Sequence, residues 1–312
     1  SGFVISRSLV PELDASSRPW VVARAFWIKR VYRLLPAAVF WASVLVLLTI
    51  FANKTGIFGS LPGVLADYLR ALLYVENFPT AHVSMTYYWS LSLEEQFYLV
   101  LPLALILLPA IRRPLVLAAL AVGAMLLYAI PAISEGMGYF RFAPLLTGVS
   151  LYRLTASPLY ARLEPTWIKG PLKPLILSAL LAAMLFAGSI YWTSTHDPYV
   201  ASWDRWFVIT GAPTLIVWLA SYDRGYVSLP GLGLVLRWIG NRSYSIYLVH
   251  VPVLLLTYEV AVRARHLDGW IDAPIAWIVA LGLGAISYRW IELPSQQLGR
   301  EQWYAAYRVR VA

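Results

Sequence analysis

The chain has 312 residues, 60% of them hydrophobic and 13% charged, with a formal net charge of +9 and a mean hydropathy of +0.65. That composition excludes a soluble domain and predicts a polytopic membrane protein, whose 14 Trp, 20 Tyr and 20 Pro suit interface-anchored and locally broken helices. With no Cys there is no disulfide, thiolate metal site or cysteine nucleophile, and the four scattered histidines (His82, His196, His250, His266) lack metal-ligand spacing.

No signal-peptide pattern opens the chain. Ser1-Gly2-Phe3-Val4-Ile5 reads as the end of a helix already under way, so the expectation is an N-terminally truncated fragment with a helix remnant at 1–10. Apolar runs that reach or approach bilayer length follow at 34–52, 88–109, 114–133, 140–155, 174–191, 205–221, 243–262 and 274–292. These predict an all-α fold of about eight transmembrane helices plus the remnant. The stretch Leu61 to Phe78 carries Asp67, Arg70 and Glu76 and predicts an interfacial or re-entrant helix. No soluble segment, low-complexity tract or internal repeat interrupts the chain, so residues 1–312 read as one membrane domain.

Charge placement orients these spans. With 53–87 outside, the connections at 11–33, 110–113, 153–173, 222–242 and 293–312 fall inside and hold most of the 25 Lys and Arg. The outer side keeps Lys54, Arg70, Arg141, Arg205, Arg263 and Arg265 beside several Asp. Placement of charge therefore points to a membrane rather than to nucleic acid.

Four segments can carry chemistry. Phe26 to Pro36 reads as a basic turn leading into a helix, with Lys29 beside Arg30 and Arg33. Arg30 and Arg33 stand at i, i+3, so two planar guanidinium forks can address one phosphate. A positive-inside anchor is the other reading. In Tyr88 to Tyr98, the residues Ser90, Glu94 and Tyr98 stand at i, i+4 and i+8 and share a helix face beside Trp89. Ionisable groups in a span usually line a site, and the open alternative is an interfacial belt. Arg141 opens an apolar run on the outer side, where it pairs with a carboxylate of the Glu94 region or snorkels to headgroups. His250 lies inside a span two residues before Pro252, as a proton carrier or as a structural partner for carbonyls freed by the proline. Tyr288 to Pro294 reads as an inner-face ion-pair anchor, and His82, His196 and His266 as surface histidines.

Together these segments resemble the membrane acyltransferase-3 family, integral-membrane enzymes that O-acylate sugars. Ser1-Gly2-Phe3 is similar to the end of its F-F-x-x-S-G-F motif, and Arg30, Arg33 and Pro36 to its R-x-x-R-I-x-P element. Trp89 to Tyr98 resembles its hallmark W-S-L-S-x-E-x-x-F-Y, and Arg141 with Gly148 its R-x(6)-G helix. Ser243 to Pro252 resembles S-Y-x-I-Y-L-x-H-x-P, and Glu292 with Pro294 the closing E-x-P.

The resemblance implies ten helices in the intact protein. It also implies a multi-pass location in a bacterial inner membrane, a cytoplasmic acyl-CoA donor such as acetyl-CoA, and a glycan or glycolipid acceptor beyond the bilayer. That acceptor could be peptidoglycan, lipopolysaccharide or another exported polysaccharide. Glu94 and Ser90 become the catalytic candidates. Arg30, Arg33 and Lys29 become acyl-CoA ligands, and Tyr98, Trp89, Arg141 and His250 line the site. The family's catalytic His belongs to its first helix, ahead of the segment that Ser1–Phe3 resembles, and none of the four histidines here matches it. The chain ends soon after its last span, which reads as the form without a C-terminal esterase-like domain. No metal and no bound cofactor are expected. The rival readings are a glycan transporter or flippase and a non-catalytic family member.

Overall fold

The computed structural model describes residues 1–78, 85–108, 142–194, 210–227, 231–264 and 269–308, with isolated positions 116, 119, 120 and 123. Every regular element among them is helical: α1 Gly2–Ala15, α2 Pro19–Phe51, α3 Leu61–Leu72, α4 Tyr88–Leu107, α5 Ala143–Thr155, α6 Pro158–Arg162, α7 Leu172–Ser194, α8 Ala212–Ser221, α9 Gly233–Arg263, α10 Gly269–Ser287, a π-helical turn Tyr288–Glu292, and α11 Leu293–Arg308. They form two compact units, Ser1–Pro19 with Leu99–Leu234, and Trp20–Tyr98 with Val235–Ala312. Neither unit is continuous in the chain, so no linker marks the boundary in the sequence.

Among the described residues four helices are long and apolar enough to cross a membrane: Pro19–Phe51, Tyr88–Leu107, Gly233–Arg263 and Ile271–Trp303. The expected count of eight is not reached. The span predicted at 114–133 lies outside the described residues, and those at 140–155 and 205–221 correspond to helices of 13 and 10 residues. Helix α2 corrects the sequence reading in a second way. Its 33 residues extend about 50 Å at 1.5 Å per residue, against a hydrocarbon core of about 30 Å. The basic segment read as a turn is thus a helical extension of the span at 34–52, because nothing in Pro19–Arg33 breaks a helix once Pro19 has opened it. Likewise Arg237 and Arg242, placed in a connection, lie on the first turns of α9.

In the unit built from Trp20–Tyr98 and Val235–Ala312, small and large residues alternate on α2. Ala37, Ala38, Trp41, Ala42 and Leu45 pack with Leu248, Val249 and Val253 of α9, Ala276 and Ala280 of α10, and Tyr88 and Leu91 of α4. Without a strong hydrophobic drive between helices in lipid, such close packing and interhelical hydrogen bonds hold the bundle. Trp41 Nε1 donates to Ser287 Oγ at 3.0 Å, Tyr88 Oη to the Ala38 carbonyl at 2.9 Å, and Tyr244 Oη to the Leu34 carbonyl at 2.6 Å. Glycine permits the closest approach between α9 and α10, since a Cβ on Gly284 would lie 2.7 Å from Ile246 Cγ1. Fully buried Glu259 on α9 accepts from the backbone N–H of Lys54 at 2.9 Å and of Thr55 at 3.1 Å, closing the turn after α2.

Helix α3 starts where Ser60 accepts from Gly63 N–H at 3.3 Å, with Pro62 in the first turn. Gly63, Val64, Asp67 and Ala71 form its buried face, while Leu61, Leu65 and Leu69 are exposed at i, i+4 and i+8. An exposed leucine stripe on a short helix is the pattern of an element lying in the interface.

In the other unit α1 packs on α5 at van der Waals distance. A Cβ on Gly148 would meet the Phe3 backbone nitrogen at 2.6 Å, and one on Gly2 the Leu145 carbonyl oxygen at 2.0 Å. Ion pairs Arg153–Asp14 (3.6 Å) and Arg7–Asp223 (3.5 Å) add polar ties. A smaller core of Ile168, Leu219 and Tyr226 joins the segment before α7 to α8 and the turn that follows it.

Candidate active site

Helix α4 begins with a tight turn, in which Tyr88 N–H and Trp89 N–H donate to the Met85 and Thr86 carbonyls. From there it runs unbroken through Pro102 to Leu107, so the spacing of Ser90, Glu94 and Tyr98 becomes a shared face. Glu94 Oε2 accepts from Tyr98 Oη at 2.8 Å, one turn along the helix. Trp27 Nε1 of α2 donates to the Tyr98 carbonyl at 3.1 Å, and Phe26 meets the Tyr98 ring edge to face at 6.3 Å. The Arg30 guanidinium lies 4.9 Å from the Tyr98 ring centroid and 5.5 Å from that of Phe26. Those rings take the faces of the guanidinium, and the charges of Glu94, Glu95 and Arg33 all reach it. The Glu94–Tyr98 pair and Arg30 therefore form one polar cluster on the α2–α4 interface.

The other predicted anion ligands part company. Arg33 is exposed, within electrostatic reach of Glu292. Lys29 is turned toward α11, with Nζ 4.2 Å from the Trp303 ring. Trp89 is half-buried in the first turn of α4. Arg141, and with it the pairing expected with the Glu94 region, falls outside the described residues, as do His82, His196 and His266.

Ser90 belongs to a second cluster with α9. Its Oγ is 2.6 Å from Tyr247 Oη, and Tyr247 Oη donates to the Tyr87 carbonyl. Since that proton is committed, the Ser90 hydroxyl is the donor to the phenol oxygen. His250 Nδ1 bonds the Tyr247 carbonyl, its ring stacks on Trp277 at 6.4 Å, and the Tyr87 ring meets it edge-on at 5.6 Å. A carbonyl only accepts, so Nδ1 carries the proton and Nε2 is left as an acceptor. Glu292, read as an ion-pair anchor, is instead buried and hydrogen-bonded to Ser245 Oγ at 2.7 Å and Gln296 Nε2 at 3.0 Å, while Arg289 is exposed. The π-helical turn explains this, because widening the helix swings Glu292 toward α9.

The opposite face of α4 is pinned by the segment after α3. Gln96 and the fully buried Asn77 exchange hydrogen bonds at 2.8 and 3.1 Å, and Gln96 Nε2 also donates to the Tyr74 carbonyl at 2.8 Å. Glu76 N–H donates to Ser92 Oγ at 3.2 Å. Tyr74 adopts φ 53°, a left-handed conformation that a bulky residue takes only when its surroundings impose it. Arg70 Nη2 donates to the Phe78 carbonyl at 2.8 Å, and its Nε lies 3.5 Å from Glu76 Oε2. Burial first, and Asp67 second, push the Glu76 carboxyl up to about 8, against the opposing pull of Arg70.

Sequence reading alone does not single out Trp27, Tyr87, Tyr247 or this strap. One signal was available: Tyr244, Tyr247 and His250 recur at i, i+3 and i+6, on one face of α9. The strap, Tyr74–Phe78, gives no comparable signal, because much of its bonding runs through backbone groups, the Tyr74 and Phe78 carbonyls and the Glu76 N–H.

The family described as an acyltransferase domain, acyltransferase-3, matches residues 1–289. The chain belongs to this family. Its match covers the Arg30–Tyr98–Glu94 cluster and the Ser90–Tyr247–His250 cluster alike. This family member is 26% identical to peptidoglycan O-acetyltransferase OatA of Listeria monocytogenes, over 99% of this chain and 51% of that protein. It is 28% identical to the Bacillus subtilis protein named Putative peptidoglycan O-acetyltransferase YrhL, over 96% of this chain and 49% of that protein. The chain spans about half the length of the curated relatives it matches. No solved structure matches it.

Proposed function

We infer that this family member transfers an acyl group, acetyl by the names of its relatives, from acyl-CoA on the cytoplasmic side to a sugar hydroxyl of a cell-surface glycan. The Glu94–Tyr98 pair packed against Arg30 carries this reading, because it unites the two motif segments into one cluster. In the reaction the acyl–sulfur bond breaks, a carbon–oxygen bond forms, and the hydroxyl proton passes through a base to the departing thiolate. A hydroxyl is a poor nucleophile at neutral pH, so that base is needed as attack proceeds. The family resemblance supplies a histidine for it. Glu94 orients that histidine or holds its positive charge, with Tyr98 fixing the carboxylate. Arg30 and exposed Arg33 hold the donor's phosphates by charge-assisted hydrogen bonds.

The test is acyl transfer from acetyl-CoA by the full-length protein. Glu94→Gln is expected to lower turnover by about a hundredfold or more while donor binding survives. Arg30→Ala or Arg33→Ala is expected to weaken donor binding, and salt to shrink the difference from wild type. Normal turnover in Glu94→Gln sinks the assignment. Movement of a glycan without consumption of acetyl-CoA would make the protein a transporter instead.

A further inference from the structure

A cavity with charged residues in its lining lies in the unit of Ser1–Pro19 and Leu99–Leu234, and none of the residues discussed above as catalytic or donor-binding contributes to it. It is an open cavity of about 400 Å³, lined by Glu164, Thr166, Ile168, Lys169, Gly170, Lys173, Arg224 and Tyr226. Local chain chemistry builds it. A run of tight turns, in which Ile168 N–H bonds the Pro165 carbonyl and Lys173 N–H the Gly170 carbonyl, carries the chain into α7. Gly170 sits at φ +52°, which turns the chain back over the opening.

The charges are ordered, and they do not cancel. Arg224 Nη1 pairs with Glu164 Oε1 at 2.9 Å, and the Tyr226 hydroxyl donates to the same oxygen at 2.9 Å. Burial, and then the hydrogen bond to Glu164, hold the Tyr226 phenol above its usual value, so it stays a donor. The only carboxylate of the lining is thereby satisfied. Lys173 Nζ spends one donor on the Arg224 carbonyl at 2.7 Å and rests 4.5 Å from the Tyr226 ring centroid. That fixes its position and leaves its remaining donors for something else. Lys169 is exposed at the rim, and Thr166 adds a hydroxyl. Tyr160 and Tyr222 stack 4.2 Å apart, and Tyr222 meets the Tyr226 ring edge-on at 6.0 Å. Trp167 stands beside the rim, 69% exposed, as interfacial tryptophans do.

We propose that this cavity binds a phosphate-bearing anion, held between Lys169, Lys173 and Thr166 on the face that the charge rule places inside. A fixed lysine with spare donors, a free lysine and a hydroxyl around a cavity of this size suit a phosphate group with a small organic appendage. That chemistry belongs both to the headgroup of an anionic phospholipid and to a soluble phosphate ester.

The experiment uses the purified full-length protein in neutral detergent and reads thermal stabilisation against concentration. The probes are phosphatidylglycerol, phosphatidylcholine and glycerol 3-phosphate. Stabilisation by phosphatidylglycerol but not by the other two assigns a lipid headgroup. Stabilisation by glycerol 3-phosphate assigns a soluble ester. In either case Lys169→Gln, an exposed position, weakens the response about fivefold. Lys169→Gln with Lys173→Gln abolishes it while acetyl-CoA binding is retained, which separates this cavity from the donor site at Arg30. If no probe stabilises the protein, or if the response is the same in Lys169→Gln and Lys169→Glu, the proposal is overturned.

Discussion

Glu76 shows how a single carboxyl can set a pH dependence. It is 2% exposed, faces Asp67 and Arg70 from α3 and Ser92 from α4, and its carboxyl is pushed up to about 8 from a usual value of 4.5. Folding therefore favours the protonated form. Between those two values the folded chain holds a proton that the unfolded chain has released, so stability is fully present below pH 4.5 and is lost as pH rises through 8. Each pH unit in that window costs up to about 1.4 kcal/mol. Thermal unfolding of wild type across pH 5 to 9 is expected to show a falling midpoint, and Glu76→Gln a flatter profile that is relatively more stable at the alkaline end. Parallel profiles would mean that Arg70 holds Glu76 ionised throughout. Ser90 makes a different point at the same scale. Its place in a shared face with Glu94 was legible from spacing, yet its bond goes to Tyr247 on α9, which no local periodicity reports.

At the scale of elements, α4 is gripped from two sides. Its Glu94–Tyr98 face meets α2 through Trp27, Phe26 and Arg30, and its Ser92–Gln96 face meets the strap at Tyr74–Asn77. The reciprocal Gln96–Asn77 pair fixes the rotation of α4 about its own axis, and with it the direction in which Glu94 points. Gln96→Leu keeps the side-chain volume but leaves Asn77 and the Tyr74 carbonyl without their partner. Unsatisfied buried groups of this kind cost about 1–3 kcal/mol, so the melting temperature is expected to fall. Turnover is expected to fall further than donor binding, because Arg30 and Arg33 stand on α2 and keep their places. Equal losses in both would mean that the strap only stabilises. The helices themselves were readable, because apolar length and amphipathic spacing are local properties. What was not readable is where the long helices end. Extensions such as Pro19–Arg33 and Gly233–Arg242 look like connections to a hydropathy argument, since Arg and Lys interrupt their apolar residues, although nothing in them breaks a helix.

For the whole molecule the decisive quantity is which side of the membrane each polar segment occupies. Charge counting puts Lys54, in the turn closed by Glu259, outside, and the Arg162–Lys173 stretch inside. Both the donor site at Arg30 and the phosphate cavity need the inner side. These 312 residues offer a way to ask, because they contain no Cys and a thiol introduced among them is the only one there. Lys54 and Arg162 are both exposed, and neither contributes its side chain to either cluster on α4. With Lys54→Cys, a membrane-impermeant maleimide is expected to label intact cells. With Arg162→Cys, labelling is expected only after the membrane is opened. The reverse pattern would put Arg30 and the cavity on the outer face, where acyl-CoA is absent, and would remove the donor assignment with them. Labelling of both thiols in intact cells would mean that an even number of crossings separates the two positions, so that the stretch between 108 and 142 does not cross as its hydropathy predicts. A single pair of variants thus tests the orientation on which the chemistry of both sites depends.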